Sequence, residues 1–250
     1  MLPGARRVSG DLRRGSAAVL YTTTETCGQK KTGGGRLRRK AQMAKEIEIK
    51  LRVNDVEELK GRLKRMGARL VSAGNGRVHE WNTLFDTARQ DLRKREQLLR
   101  IRRGKKNARQ PALLTFKGPV FAERRRGGNS KQDERHKIRE EIEIQISDAA
   151  ALAKILERLN MRPSFHYEKY RTTYRLPNRA WAKGLLIELD ETPIGTFMEL
   201  EGPPRAIDRA AKELGFSRKD YIVTNYLRLF AEECRRRGKK MCDMTFRKRK

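Results

Sequence analysis

Cysteine is scarce in this 250-residue chain: Cys27, Cys234 and Cys242 are an odd number, and no Cys-x-x-Cys pair occurs. That excludes a disulfide scaffold, and with no secretory signal it predicts a reducing compartment, the cytoplasm being the expected location. Histidine is equally rare, and His79, His136 and His166 lack zinc-ligand spacing. No apolar run approaches the ~20 residues of a membrane span, and residues 17–20 are too short for a signal-peptide core, so no membrane partner is expected. A P-loop, a Rossmann glycine pattern and a nucleophile elbow are all missing. So are a helix-turn-helix, a zinc finger and an aromatic strand motif, which leaves no device for specific nucleic-acid readout.

Acid is short as well, with 31 Asp and Glu against 60 Lys and Arg. The resulting +29 charge attracts phosphates, nucleic acid or acidic membranes without choosing among them. Its distribution is more informative. Residues 1–42 carry ten basic and two acidic residues, and residues 235–250 carry nine and one, so about half of the excess sits at the two ends. Residues 1–43 are expected to be a basic, disordered extension, with Met43 as the natural start. Residues 44–232 are the expected folded domain and residues 233–250 a solvated basic tail. A third basic stretch, residues 123–131, reads as a flexible connection.

Regular patterning begins at Glu46-Ile47-Glu48-Ile49-Lys50-Leu51-Arg52-Val53, which alternates charged and aliphatic residues with the period of a strand. Asn54 or Asp55 caps a helix carrying Val56, Leu59, Leu63 and Met66, which Gly67 ends. The unit recurs: Glu141-Ile142-Glu143-Ile144-Gln145-Ile146 alternates, Ser147 or Asp148 caps, and Leu152, Ile155, Leu156 and Leu159 form the next apolar stripe. Further strands are expected over residues 77–85, 97–103, 112–117 and 165–176, with Gly118-Pro119 as a strand-ending turn. Residues 185–190 and 196–201 form a hairpin across Pro193 and Gly195. That makes eight strands. Pro203-Pro204 opens a helix carrying Ile207, Ala210, Ala211 and Leu214, and Ser217 with Asp220 caps a last one carrying Tyr221, Leu227 and Phe230. Residues 221–230 also offer a face for a second subunit, so a homodimer is among the expected partners.

One alternating strand usually has a solvated charged face, but here seven strands repeat the pattern. Glu46, Glu48, Lys50 and Arg52 share a face, as do Arg100 and Arg102, Thr115 and Lys117, and Arg139, Glu141, Glu143 and Gln145. Lys169, Arg171, Thr173 and Arg175 follow, then Glu188 with Asp190 and Glu199 with Glu201. The helices' apolar stripes need the strands' aliphatic faces, and closing the sheet removes exposed edges, leaving the charged faces around a lumen. The expected fold is therefore α+β, a closed eight-stranded barrel with helices packed outside. Charged groups in a lumen are costly unless paired or neutralised by metal.

Two carboxylates of a strand's Glu-x-Glu lie about 7 Å apart on one face. They suit hard cations such as Mg²⁺, which binds one or two carboxylates together with phosphate oxygens. Glu46, Glu48, Glu199, Glu201 and Asp190 are candidate metal ligands, with Glu141, Glu143 and Glu188 as additional tunnel acids. Arg100, Arg102, Lys117, Arg139, Lys169 and Arg171 are candidates for holding phosphates. Lys50 either stabilises an attacking hydroxide or holds a carboxylate. With Glu48 and Arg102 it completes the candidate catalytic set. The chemistry these residues suit is phosphoryl or nucleotidyl transfer. A noncatalytic polyphosphate, nucleotide or nucleic-acid binding module is the alternative from another class.

The motifs resemble the CYTH family, the triphosphate tunnel metalloenzymes. Glu46-Ile47-Glu48-Ile49-Lys50, Leu99-Arg100-Ile101-Arg102, Leu114-Thr115-Phe116-Lys117-Gly118, Arg139-Glu140-Glu141-Ile142-Glu143, Lys169-Tyr170-Arg171 and Gly195-Thr196-Phe197-Met198-Glu199-Leu200-Glu201 occur in family order. The resemblance implies an antiparallel tunnel and Mg²⁺ or Mn²⁺ dependence. It implies a triphosphate substrate: ATP, inorganic triphosphate or thiamine triphosphate. It implies metal on Glu46, Glu48, Glu199 and Glu201, sometimes with Asp190, and phosphates on Lys50, Arg100, Arg102, Lys117, Arg139, Lys169 and Arg171. Hydrolysis by a triphosphatase is the expected reaction, with adenylyl cyclisation to cyclic AMP and pyrophosphate as the alternative. Leu84-Phe85-Asp86-Thr87 departs from the Tyr-Phe-Asp-Thr of many members, and the basic connection between Val120 and Lys137 is a candidate lid.

Overall fold

The computed structural model describes residues 42–71, 76–104, 111–121 and 136–246. The expected N-terminal extension, apart from its last two residues, and the body of the candidate lid lie outside the described residues. The chain runs β1 (Gln42–Val53), α1 (Val56–Arg65), β2 (Arg69–Leu70), β3 (Arg77–Asp86), α2 (Asp91–Lys94), β4 (Leu98–Gly104), β5 (Ala112–Val120) and β6 (Lys137–Ile146). It continues with α3 (Ala149–Arg158), β7 (Arg162–Arg175), β8 (Leu186–Thr192), β9 (Gly195–Glu201), α4 (Pro204–Glu213) and α5 (Tyr226–Arg236).

Every strand pairing is antiparallel, in the order β7-β3-β4-β5-β6-β1-β9-β8, and β8 pairs again with β7. The sheet thus closes into the eight-stranded barrel expected from the sequence. A ninth strand, the two-residue β2, pairs with β7 beside the ring. It is too short to carry a periodic signal.

The aliphatic residues of the alternating strands face outward and are covered by helices. Ile49 and Leu51 of β1, Ile187 and Leu189 of β8 and Met198 and Leu200 of β9 pack with Leu59 and Leu63 of α1 and with Ile207, Ala210, Ala211 and Leu214 of α4. Burial of such side chains contributes roughly 1.5–3 kcal/mol each, so this layer is the main source of stability. Local signals set the helix ends. Asp55 accepts from the Glu58 backbone N–H at 2.8 Å, and Asp148 accepts from those of Ala150 and Ala151 at 2.9 Å. Gly202, just after β9, has φ +144, and a Cβ there would lie 2.6 Å from the Gly184 carbonyl oxygen, so only glycine suits.

Several expectations are corrected. Gly118-Pro119 does not end its strand; β5 runs to Val120 and absorbs the pair as a register shift after Lys117. On α3 Leu156 is buried and Ala149, Leu152 and Ala153 are partly buried beside it, while Ile155 and Leu159 are exposed. The helix is rotated toward Phe85 and Ile101, where the sheet offers apolar surface. Ser217 and Asp220 cap only one 3-10 turn, and the last helix starts at Tyr226 behind an Asn225 cap. Between them Ile222 exchanges backbone hydrogen bonds with Lys50 at 2.8 and 2.9 Å. It occupies the β1 edge that β6 leaves after Glu48, and β-branched Ile222, Val223 and Thr224 suit that extended path. Tyr226 and Leu229 of the expected subunit face are buried within this chain.

The expected solvated tail is likewise docked over its described part. Met244 bridges Tyr167 of β7 where β8 no longer pairs, donating to the His166 carbonyl and accepting from the Glu168 N–H. It is fully buried, with Leu84, Phe165, Tyr167, Phe197, Tyr226 and Leu229 around it. Phe197 and Tyr167 share parity with Glu199 and Lys169, so apolar residues fill one end of a lumen expected to be charged throughout. Met244→Ala is expected to lower stability by about 2–5 kcal/mol. Denaturant unfolding measures it, and an unchanged midpoint would mean that the docked tail contributes nothing.

Candidate functional site

Because period two sends alternate side chains inward, the charged residues of the strands meet in a lumen of about 280 Å³. Eight bases line it, Lys50, Arg100, Arg102, Lys117, Lys137, Arg139, Lys169 and Arg171, and seven acids, Glu46, Glu48, Glu141, Glu143, Glu188, Glu199 and Glu201. Near-balance of charge is what makes an enclosed set of fifteen ionisable groups tolerable. Arg52 of the expected face sits apart, its guanidinium over the Phe197 ring and donating to the Ile194 carbonyl.

The pairings divide the lumen into zones. Lys50 Nζ lies 3.2 Å from Glu48 and 3.1 Å from Glu199, so here it holds carboxylates. Glu48 also receives Lys137 at 2.5 Å, and Glu46 receives Lys117 and, at 2.9 Å, Arg139. Lys117 reaches Glu141 at 3.3 Å. Arg102 bridges Glu80 at 3.3 Å and Glu143 at 2.9 Å. Arg171 holds Asp190 through two hydrogen bonds, 2.7 and 2.6 Å, and also contacts Glu188 and Glu199. Among the described residues Arg100 has only neutral partners, the Tyr167 hydroxyl at 3.2 Å and the Thr115 hydroxyl at 3.3 Å, and its Nε has none. A fully charged guanidinium so placed is suited to an incoming anion.

Asp190, expected among metal ligands, does not line the lumen. It is fully buried and accepts from Lys169 at 2.8 Å, from Arg171 and from the Tyr226 hydroxyl at 2.8 Å, which makes it the anchor for two bases. Sequence reasoning missed Lys137, Glu80, Tyr167 and Tyr226. Lys137 precedes Arg139 by two and Glu80 precedes Leu84 by four, so parity could have found both. Tyr226 sits at the start of a helix and carried no such signal.

Burial raises the carboxyl of Glu48, but Lys50, Lys137, Lys117 and Arg139 outweigh it and hold the group well below its usual range. Glu80 is held low in the same way, by Lys169 and Arg102 against burial. Elsewhere acid is in surplus. Burial pushes Glu188 up to about 7 against the pull of Arg171, and burial with Glu188 and Glu46 pushes Glu201 up to about 8. Lys137 is brought down to about 8 by burial, against Glu48.

Register explains the surplus. Glu48 stands directly opposite Glu201, and Glu188 opposite Glu199. Like charges so placed repel unless a cation lies between them. The donor set, carboxylate oxygens only, fits a hard divalent cation. Among the described residues no three His, Cys, Asp or Glu side chains converge at metal-binding distance. Lys and Arg hold Glu46, Glu48 and Glu199 instead, so a metal would enter by exchange with these groups.

Among the described residues no helix is long and apolar enough to cross a membrane. The chain is 25% identical over 190 residues to a provisionally named adenylate cyclase of Methanocaldococcus jannaschii, covering 74% of this chain and 97% of that one. The structure of the PH1819 protein of Pyrococcus horikoshii is similar with a TM-score of 0.58 and 26% identity, over 75% of this chain and 99% of that one. A provisionally named adenylate cyclase of Vibrio parahaemolyticus, 16% identical, shares the fold with a TM-score of 0.57, over 77% and 99% of the two chains. The CYTH domain matches residues 44–226, the stretch that contains the whole barrel, and the chain therefore belongs to the CYTH domain family.

Proposed function

We propose that the chain is a divalent-metal-dependent adenylyl cyclase that takes the triphosphate of ATP into the lumen and converts it to cyclic AMP and pyrophosphate. The observation that carries triphosphate binding is the convergence of eight bases on an enclosed cavity whose acids are already paired or in surplus. A polyanion arriving with its cation exchanges partners with these groups and leaves the charge of the lumen nearly balanced. Cyclisation is preferred to hydrolysis, the reaction expected from the sequence, because the curated relative at 25% identity carries the cyclase name.

Arg100 and Arg102, on β4, and Lys169 and Arg171, on β7, approach from one side; Lys117 and Arg139 approach from β5 and β6. In this reading they bind the phosphate oxygens and stabilise charge that develops as the bond to pyrophosphate breaks. Glu46, Glu48, Glu199 and Glu201 would hold Mg²⁺ or Mn²⁺, which when bound polarises phosphoryl oxygens. Lys50 keeps Glu48 and Glu199 oriented between the two metal-facing strands. The ribose 3′-oxygen bonds to the α-phosphorus, the bond from that phosphorus to the bridging oxygen breaks, and the hydroxyl proton passes to solvent.

Incubation with ATP, inorganic triphosphate and thiamine triphosphate in Mg²⁺ or Mn²⁺ tests this directly. Cyclic AMP with pyrophosphate is expected; orthophosphate as the sole product would return the assignment to hydrolysis. Arg102→Ala is expected to cut turnover by roughly tenfold or more, since it frees Glu80 and Glu143 and removes one stabilising group. A parental rate would take Arg102 out of the reaction.

A further inference from the structure

Beside the lumen lies a second cavity, of about 620 Å³. Leu84, Leu98, Lys137, Arg139, Asn225 and Leu227 belong to the walls of both, so a molecule lying in one abuts the other. Size separates their roles. Sites that enclose a whole small molecule usually measure about 300–1,000 Å³. The 280 Å³ lumen falls short of that, room for phosphates but not also for an organic group, while the second cavity lies well inside the range.

The second cavity differs in chemistry too. Leu99, Phe165 and Met241 give it apolar surface, and Gln97, Thr224 and Asn225 add neutral polar groups. Its acids already have partners. Asp86 accepts the backbone N–H groups of Thr87, Leu92 and Arg93 at 2.8–3.0 Å. Glu96 pairs with Arg228 at 3.5 Å, and Asp243 accepts the His166 N–H at 2.9 Å. Among the described residues the cavity's wall also carries Arg93, Lys137, Arg139 and Arg228, so its bases outnumber its acids and a cationic ring is not favoured. An uncharged flat heterocycle with hydrogen-bonding edges finds both apolar walls and polar contacts.

Part of this wall comes from outside the matched domain. Met241, Cys242 and Asp243 follow its last residue, 226, and are held against β7 by the buried Met244. Resting on the triphosphate reading above, we infer that residues 241–243 complete a base-selecting site beside the lumen. The substrate is then a nucleoside triphosphate, in preference to inorganic triphosphate or the triphosphate of a cationic heterocycle, and this C-terminal segment contributes the selectivity.

Two measurements on the full chain with Mg²⁺ test it. Met241 is 44% exposed, so Met241→Asp is tolerated by the fold. Calorimetry should show that it weakens a non-cleavable ATP analogue by about tenfold or more and leaves inorganic triphosphate within about twofold. In the parental protein thiamine triphosphate should bind more weakly than the analogue. The exposed Cys242 reports without mutation. Alkylation of the peptide that contains it, followed by mass spectrometry, should be slowed by the ATP analogue and not by inorganic triphosphate. Equal protection by both ligands, no protection by either, equal losses of affinity in Met241→Asp, or tighter thiamine triphosphate would each overturn the inference. If inorganic triphosphate binds the parent while the base leaves no trace at residues 241 and 242, only this inference fails. If neither ligand binds, the assignment of the lumen fails with it.

Discussion

Glu48→Gln is expected to lower turnover by roughly a hundredfold or more, because it removes charge from the point where the lumen's pairings meet. Glu48 faces Lys50, Lys137 and, at 3.6 Å, Arg139, and it stands across from Glu201. Glutamine keeps the shape of the side chain and loses its charge, so a metal loses a hard ligand, Lys137 loses its counter-charge and Lys50 keeps only Glu199 among the described residues. Steady-state product formation over a series of Mg²⁺ concentrations measures the effect, and excess metal should recover only part of it. Glu141→Gln is the control: among the described residues Glu141 has a single charged partner, Lys117, and it is less buried, so its loss should be clearly smaller. Equal rates in the parent and in Glu48→Gln would remove Glu48 from the reacting centre.

Arg171→Ala has the largest expected effect on stability. One guanidinium neutralises Glu188, Asp190 and Glu199, all three of them buried. In the variant Glu188 loses its Arg171 partner, while Asp190 keeps Lys169 and Glu199 keeps Lys50. Removing one partner of a buried charge set costs about 3–5 kcal/mol. For a domain of this size that corresponds to a fall in Tm of roughly 6–20 °C. Divalent cation should restore part of the loss in this variant and less in the parent, since the freed carboxylates become available to it. Thermal unfolding with Mg²⁺ and with chelator decides the matter. An unaltered Tm would mean that these acids are neutral in the folded protein, and a fall that Mg²⁺ leaves untouched would argue against metal binding by Glu188 and Glu199.

The lumen was legible because its cause is local. A strand shows alternate residues to opposite faces, so Glu46, Glu48 and Lys50 had to share a side wherever β1 ended up. The same parity placed Arg100 with Arg102 and Lys169 with Arg171. It failed for Asp190, where parity gives the direction of a side chain but not its depth: the residue points inward yet lies beneath Lys169, Arg171 and Tyr226. It failed also for the apolar end of the lumen, where Phe197 and Tyr167 follow the inward parity and meet Tyr226 from a distant helix. The C-terminal segment was misread for a related reason. Its composition is basic and polar, and the one residue that seats it, Met244, has no periodic partner in sequence.

Amino-acid order alone therefore settled the eight barrel strands, the closed barrel and the charged inner face, and narrowed two helix caps to Asn54 or Asp55 and Ser147 or Asp148, since each follows from periodicity or from contacts a few residues apart; the structure chose Asp55 and Asp148. Tertiary structure decided which acid each base holds, that Glu48 and Glu201 lie side by side, and that Ile222 and Met244 occupy free strand edges in the wall. Those outcomes depend on register and on contacts between residues far apart in the chain, and a local pattern contains no information about either.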